Sequence, residues 1–270
     1  MSLHTIVQTL SKYYKFDFKE AWKFINGYKG AGCSKSGNQY ERDIFNVLKS
    51  TTIHGKPFCT GTVDSLAGST AGNDIECNFL GEKDIGIEVK KCRTPDWMQC
   101  SIKFKDGKWG GSQRCKIPKA SREIFNELLN NVVLFGGNTP PFFERKVTHE
   151  EWLLIKKEKK WKDHYIPIPN YIIRDLYRKK GCQYIQISDY GLYHLGEDVC
   201  GFGVPEFIIE QQLRIRTKIH KRKNAKGFCN LSVTAACQPC DIRTLNKSPY
   251  SLDDVERLPY LLRKGKVKKE

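Results

Sequence analysis

The chain has 270 residues, 39% of them hydrophobic and 11% aromatic, so it can bury a substantial core and is not a disordered segment. Lys and Arg total 46 against 30 Asp and Glu, a formal net charge of +16 that points to a polyanionic partner. No apolar run approaches the roughly 18 residues that cross a bilayer, and residues 1–16 lack the pattern of a signal peptide. The expectation is therefore an intracellular protein without a membrane anchor, whose 11 cysteines stay mostly reduced and act as small core hydrophobes.

In chain order, residues 2–26 carry helical spacing: Ile6, Leu10, Tyr13 and Tyr14, then Phe18, Ala21, Trp22 and Ile25. A glycine-punctuated loop leads to Asn38, an expected N-cap with Glu41 three residues on, and to a helix with Tyr40, Ile44, Phe45 and Leu48 on its apolar side. Residues 60–73, rich in Gly, Ser, Thr and Ala, are expected to form a loop. Residues 74–80 and 85–90 alternate apolar and polar around Gly81, Glu82 and Lys83, the pattern of a hairpin. A helix over 121–130, a buried strand over 131–135, a charged helix over 148–162 and a helix over 172–180 stopped by Gly181 follow. A second hairpin is expected around Asp189 and Tyr190, and a further strand within 207–219. These alternating elements predict a mixed α/β (α+β) fold with a central β-sheet flanked by helices.

The strongest chemical signal lies in the first hairpin. Alternation puts Glu88 and Lys90 on one face of a strand, and the short turn brings Asp74 onto that face from the neighbouring strand. Carboxylates converging beside an ammonium can hold Mg²⁺, with Mn²⁺ able to substitute, and the metal can polarise a phosphoryl oxygen. The competing reading is the wet face of an ordinary amphipathic hairpin. Glu76, on the same face as Asp74, leaves open which carboxylate would be the ligand.

These residues resemble the PD-(D/E)xK nucleases, the superfamily of most type II restriction endonucleases. Glu41, Asp74, Glu88 and Lys90 match that family's order and spacing over residues 38–93, although Asn73 stands where its proline is expected. The resemblance implies a restriction-endonuclease-like core and hydrolysis of double-stranded DNA, with Asp74, Glu88 and the Val89 carbonyl as metal ligands. It further implies that Lys90 orients the attacking water and that Glu41 assists. Lys91, Arg93 and Gln99, just after the Glu-x-Lys strand, are candidate DNA contacts. Without a composition break, residues 1–270 are expected to form one elaborated nuclease domain. An N-terminal helical segment (1–37), a catalytic core (38–135) and a core-completing, basic DNA-binding region (136–270) would make it up.

The charge is uneven. Residues 201–270 hold 15 Lys and Arg against 7 Asp and Glu, and residues 211–230 hold seven basic residues and no acidic one. Arg214, Arg216 and Lys218 recur every second residue opposite Leu213, Ile215 and Ile219, and Lys221 and Arg222 follow, so a basic strand face is expected to track phosphates. Gln186 and Ser188, on the expected polar face of the second hairpin, are candidate base readers. Cutting both strands with one active site per chain implies a homodimer. A lone Cys237-x-x-Cys240 pair, with Cys229 and His220 upstream, favours core cysteines over structural zinc.

Overall fold

Alternating apolar residues along 75–90 fold back into a hairpin, and around it the computed structural model describes residues 8–9, 37–59, 73–93, 96–112, 117–157, 161, 164–224 and 226–262. The expected N-terminal helix over 2–26 lies almost wholly outside the described residues, as does the loop over 60–72. Helix α1 (37–49) buries Tyr40, Ile44, Phe45 and Leu48 in a stripe of helical period. Gly37 and Asn38 already lie within it, so Asn38 is not its cap. Strands β1 (Thr52–Ile53) and β2 (Lys56–Pro57) make a small hairpin.

Strands β3 (Ile75–Phe79) and β4 (Lys83–Lys90) pair antiparallel from Ile75↔Ile87 to Phe79↔Lys83. Their turn places Leu80 and Gly81 at φ 59° and 84°. A second pair, β5 (Met98–Lys105) and β6 (Lys108–Gly111), precedes α2 (Lys119–Asn131), the short α3 (Pro141–Glu144), α4 (His149–Lys157) and β7 (His164–Ile168). Helix α5 (Ile172–Lys180) ends where Gly181 takes a left-handed φ of 99°, a conformation open to glycine because it lacks a Cβ. Strands β8 (Cys182–Ile187), β9 (Gly191–His194), β10 (Gln211–Lys221) and β11 (Asn230–Pro239) complete the order.

The strands form two larger sheets. One has the order β3-β4-β8-β9, with β4 parallel to β8; the other has the order β6-β5-β11-β10-β7, antiparallel throughout. A parallel pair needs a long crossover, and here residues 91–181 supply it, carrying most of the second sheet and α2 with them. One core cluster joins α1 to the face of the first sheet that holds Ile85, Ile87, Val89 and Tyr184. The other joins the opposite face, with Ile185 and Ile187, to α2, α5 and the apolar face of the second sheet. Ser121 lets α2 approach α5 closely and donates its hydroxyl to the Leu176 carbonyl at 2.8 Å.

The class is mixed α/β, and the hairpins and helix α5 fall where expected. One further expectation fails. Residues 131–135 are not a strand: Phe135 and Gly136 turn the chain with φ of 52° and 64°, and Val133 is exposed. Of the charged helix expected over 148–162, His149–Lys157 is described as helix and Trp161 stands in a turn; residues 158–160 and 162 lie outside the described residues. Eight of the described cysteines are free thiols, mostly buried, and Cys100 is disulfide-bonded. Among the described residues, no helix is long and apolar enough to cross a membrane.

Candidate active site

Extending the β3/β4 register by one pair sets Asp74 opposite Glu88. The Val89 N–H donates to Asp74 Oδ2 at 2.9 Å, which fixes the carboxylate against the strand. Lys90 reaches back along β4 and bridges the two acids: its ammonium lies 3.2 Å from Asp74 Oδ2, bonds Glu88 Oε1 and donates to the Val89 carbonyl at 3.1 Å. The three residues therefore converge as the alternation predicts, but the face is not wet. Asp74 is 8% and Glu88 2% exposed, because α5 covers this end of the sheet.

Helix α5 brings a residue that sequence reasoning missed. Lys180, at its last turn, places its ammonium 2.6 Å from Glu88 Oε2 and 3.4 Å from Asp74 Oδ1. In the sequence it closes an Arg178-Lys179-Lys180 run that resembles ordinary positive charge at a helix C-terminus. The pairing of β4 with β8 carries it across 92 positions to Glu88. The Tyr177 ring lies beneath both ammoniums, 5.6 Å from that of Lys90 and 5.9 Å from that of Lys180.

Asn73 and Gly86 hold β4 against the end of α5. The Asn73 side chain packs over Gly86 and Gly181 and accepts from the Cys182 thiol at 3.4 Å. The same thiol reaches Glu88 Oε2 at 3.5 Å. The Gly86 N–H donates to Gln183 Oε1 at 2.6 Å. Asn73, the residue before Asp74, thus locks the hairpin to the end of α5.

The electrostatics follow from burial and two close pairs of charge. Burial raises the Asp74 carboxyl, but Lys90, Lys180 and the Val89 N–H outweigh it and hold the group below the ordinary Asp value. Glu88 is pushed up by burial and by the Asp74 charge, with Lys90 and Lys180 opposing. Burial disfavours both ammoniums, yet the two carboxylates more than compensate and raise them. Glu41, on α1, senses the same charges: burial and the Asp74 carboxylate raise it to about 7.

The donor set suits a hard divalent cation by type. Two carboxylates and the Val89 carbonyl offer oxygen alone, and Mg²⁺ takes one or two carboxylates while keeping several waters. Among the described residues no group of three or more His, Cys, Asp or Glu side chains gathers into a full cage. The carboxylate oxygens are engaged by ammonium groups, so an ion would compete with lysine for them. Glu76 stands opposite Gly86, exposed and two pairs away from Glu88, which leaves Asp74 as the carboxylate that meets Glu88.

The remaining candidates divide. Arg93 and Gln99 are exposed, Gln99 on β5, and the Lys91 ammonium sits 5.8 Å from the Tyr40 ring centre. Arg214, Arg216 and Lys218 share the outer face of β10, opposite buried Leu213 and Ile215, as the alternation predicts. Arg214 also bonds Asp96 at 3.2 Å and lies over the Tyr165 ring, and Arg216 approaches Asp96 at 3.6 Å. Lys221 and Arg222 are exposed at the strand end. The expectation for Gln186 is corrected: it is fully buried, donates to Tyr40 and Ser251 and accepts the Leu252 N–H, so no amide edge is left for a base. Ser188 accepts the Cys92 N–H at 3.0 Å and ties β8 to the chain leaving β4. Cys237, on β11 opposite Leu213, is sealed in the core. Comparison with protein-family models, curated proteins and solved structures finds no match for the chain.

Proposed function

We propose that the chain is a Mg²⁺-dependent endonuclease of the PD-(D/E)xK type that hydrolyses phosphodiester bonds of double-stranded DNA in a sequence-specific manner. The observation that carries this reading is the meeting of Asp74 and Glu88 across a hairpin, bridged by Lys90 from the same strand. The order α1, antiparallel β3 and β4, then α5 leading into β8 parallel to β4 supports a restriction-endonuclease-like core around that hairpin. The alternation of Arg214, Arg216 and Lys218 on an outer sheet face supports a polyanionic substrate.

In this reading Asp74, Glu88 and the Val89 carbonyl hold the metal, which when bound supplies a polarised phosphate oxygen and a more acidic water. Lys90 keeps the carboxylates in register and presents an ammonium where negative charge builds on the phosphate. Glu41, raised to about 7, can accept a proton near neutral pH at the edge of the site. A two-fold homodimer would give each strand its own site and match a palindromic sequence.

The test is incubation with a sequenced plasmid in Mg²⁺ and mapping of the ends. Discrete fragments from the wild type are expected. Glu88→Ala and Lys90→Ala should abolish cleavage while DNA binding in Ca²⁺ persists. Cleavage restricted to branched or damaged DNA would replace restriction by a resolvase or repair activity, and cutting by both variants would refute the site.

A further inference from the structure

Resting on the metal-dependent reading above, we propose that Lys180 holds the cation seat between Asp74 and Glu88 in the metal-free protein and gives it up when a divalent ion binds. Lys180 is thus a positioning residue that sets how much metal the site requires. The four carboxylate oxygens sort into two pairs. Lys90 takes Asp74 Oδ2 and Glu88 Oε1, while Lys180 takes Asp74 Oδ1 and Glu88 Oε2. An ion bridging the two acids needs one of these pairs.

Lys90 has a third anchor, the Val89 carbonyl at 3.1 Å, and its strand is paired on both sides. Lys180 stands on the last turn of α5 and reaches the two acids on a flexible four-carbon stem. Charge balance favours the exchange. Two ionised carboxylates and two ammoniums sum to zero in a buried site, and adding a divalent ion without loss would leave two uncompensated positive charges. Release of Lys180 removes one of them. It also frees the oxygen pair that faces α5.

The test uses the full chain and Mn²⁺ as the probe, with free ion read by electron paramagnetic resonance at constant pH. Lys180→Gln should lower the Mn²⁺ dissociation constant by about tenfold, the gain expected when a competing cation is lost. Its melting temperature without metal should fall, and the rise on adding Mn²⁺ should exceed that of the wild type. Lys180→Arg keeps the charge and holds carboxylates in two-point fashion, so it should bind Mn²⁺ more weakly than the wild type. This keeps the inference testable should the neutral variant not fold. An equal gain in Lys90→Gln, or no gain in Lys180→Gln while Glu88→Gln loses Mn²⁺, overturns the Lys180 assignment and leaves the endonuclease reading standing. Absence of Glu88-dependent Mn²⁺ binding in every folded variant overturns both.

Discussion

Replacing Gly86 by alanine drives a methyl group into the joint that holds β4 to the end of α5. A Cβ built at Gly86 lies 2.2 Å from the Gly181 carbonyl oxygen, 2.4 Å from Asn73 Nδ2 and 2.5 Å from Asn73 Cγ. The approach to the backbone oxygen falls about 1.2 Å short of the 3.4 Å at which ordinary contact begins. The side-chain part can relax by rotation of Asn73, but the carbonyl can retreat only by moving α5 away from β4. Overpacking of this kind costs about 1–3 kcal/mol, and a clash with backbone belongs at the upper end. At about 2–4 °C per kcal/mol, a loss of about 3 kcal/mol lowers Tm by roughly 6–12 °C. The assay is urea unfolding with a parallel thermal melt. Gly110→Ala, where the nearest atom is Asn126 Oδ1 at 3.4 Å, serves as the neutral control. Asn73→Ala combined with Gly86→Ala should recover only part of the loss, because the carbonyl contact remains. Equal stability of Gly86→Ala and Gly110→Ala would refute the close approach and the account of how α5 delivers Lys180.

Three further outcomes are expected. Gln186→Leu strands the buried Leu252 N–H, so it should lose about 1–3 kcal/mol in urea unfolding while DNA affinity stays unchanged; weakened DNA binding with intact stability would contradict the burial. Glu41 holds its proton to about 7 in the folded chain against an ordinary 4.5, so the native state binds more protons between those values and its stability falls as pH rises through them. Glu41→Gln should match the wild type below that window and be the more stable protein above it, as read by unfolding at pH 4 and pH 8. Changing Arg214, Arg216 and Lys218 together to Gln removes three cations of which Asp96 already offsets one. The slope of log affinity for duplex DNA against log salt should therefore become shallower, and an unchanged slope would remove β10 from the DNA interface.

Strongly periodic segments were legible and weakly periodic ones were not. Helix α5 carries a clear apolar stripe and a glycine stop, and it falls on the expected residues. The β3/β4 and β8/β9 hairpins have alternation and turn residues together. Strand β11 runs Leu-Ser-Val-Thr-Ala-Ala-Cys, buried along most of its length at the centre of its sheet, so no polar face marks it. Strand β5 does alternate, with Met98, Cys100 and Ile102 buried, so the period-two signal for it is present in the sequence. Gln186 exposes a limit of alternation itself. Polar and apolar residues exchange along β8, but both faces are covered, by α1 and the 251–252 segment on one side and by α5 on the other. A polar side chain there is a buried link and not a surface reader.

The same geometry explains which half of the site could be read. Asp74, Glu88 and Lys90 lie within one hairpin, where period-two alternation and a short turn dictate that they meet. Lys180 depends on a parallel pairing between strands separated by a crossover of some ninety residues, and no local pattern encodes which helix end lands on which carboxylate. Its presence changes the chemistry of the cluster from two acids with one base to a balanced set of two and two. That balance accounts for how Glu88 can sit at 2% exposure at all: burial of one carboxylate beside another is tolerated because each of its oxygens has its own ammonium.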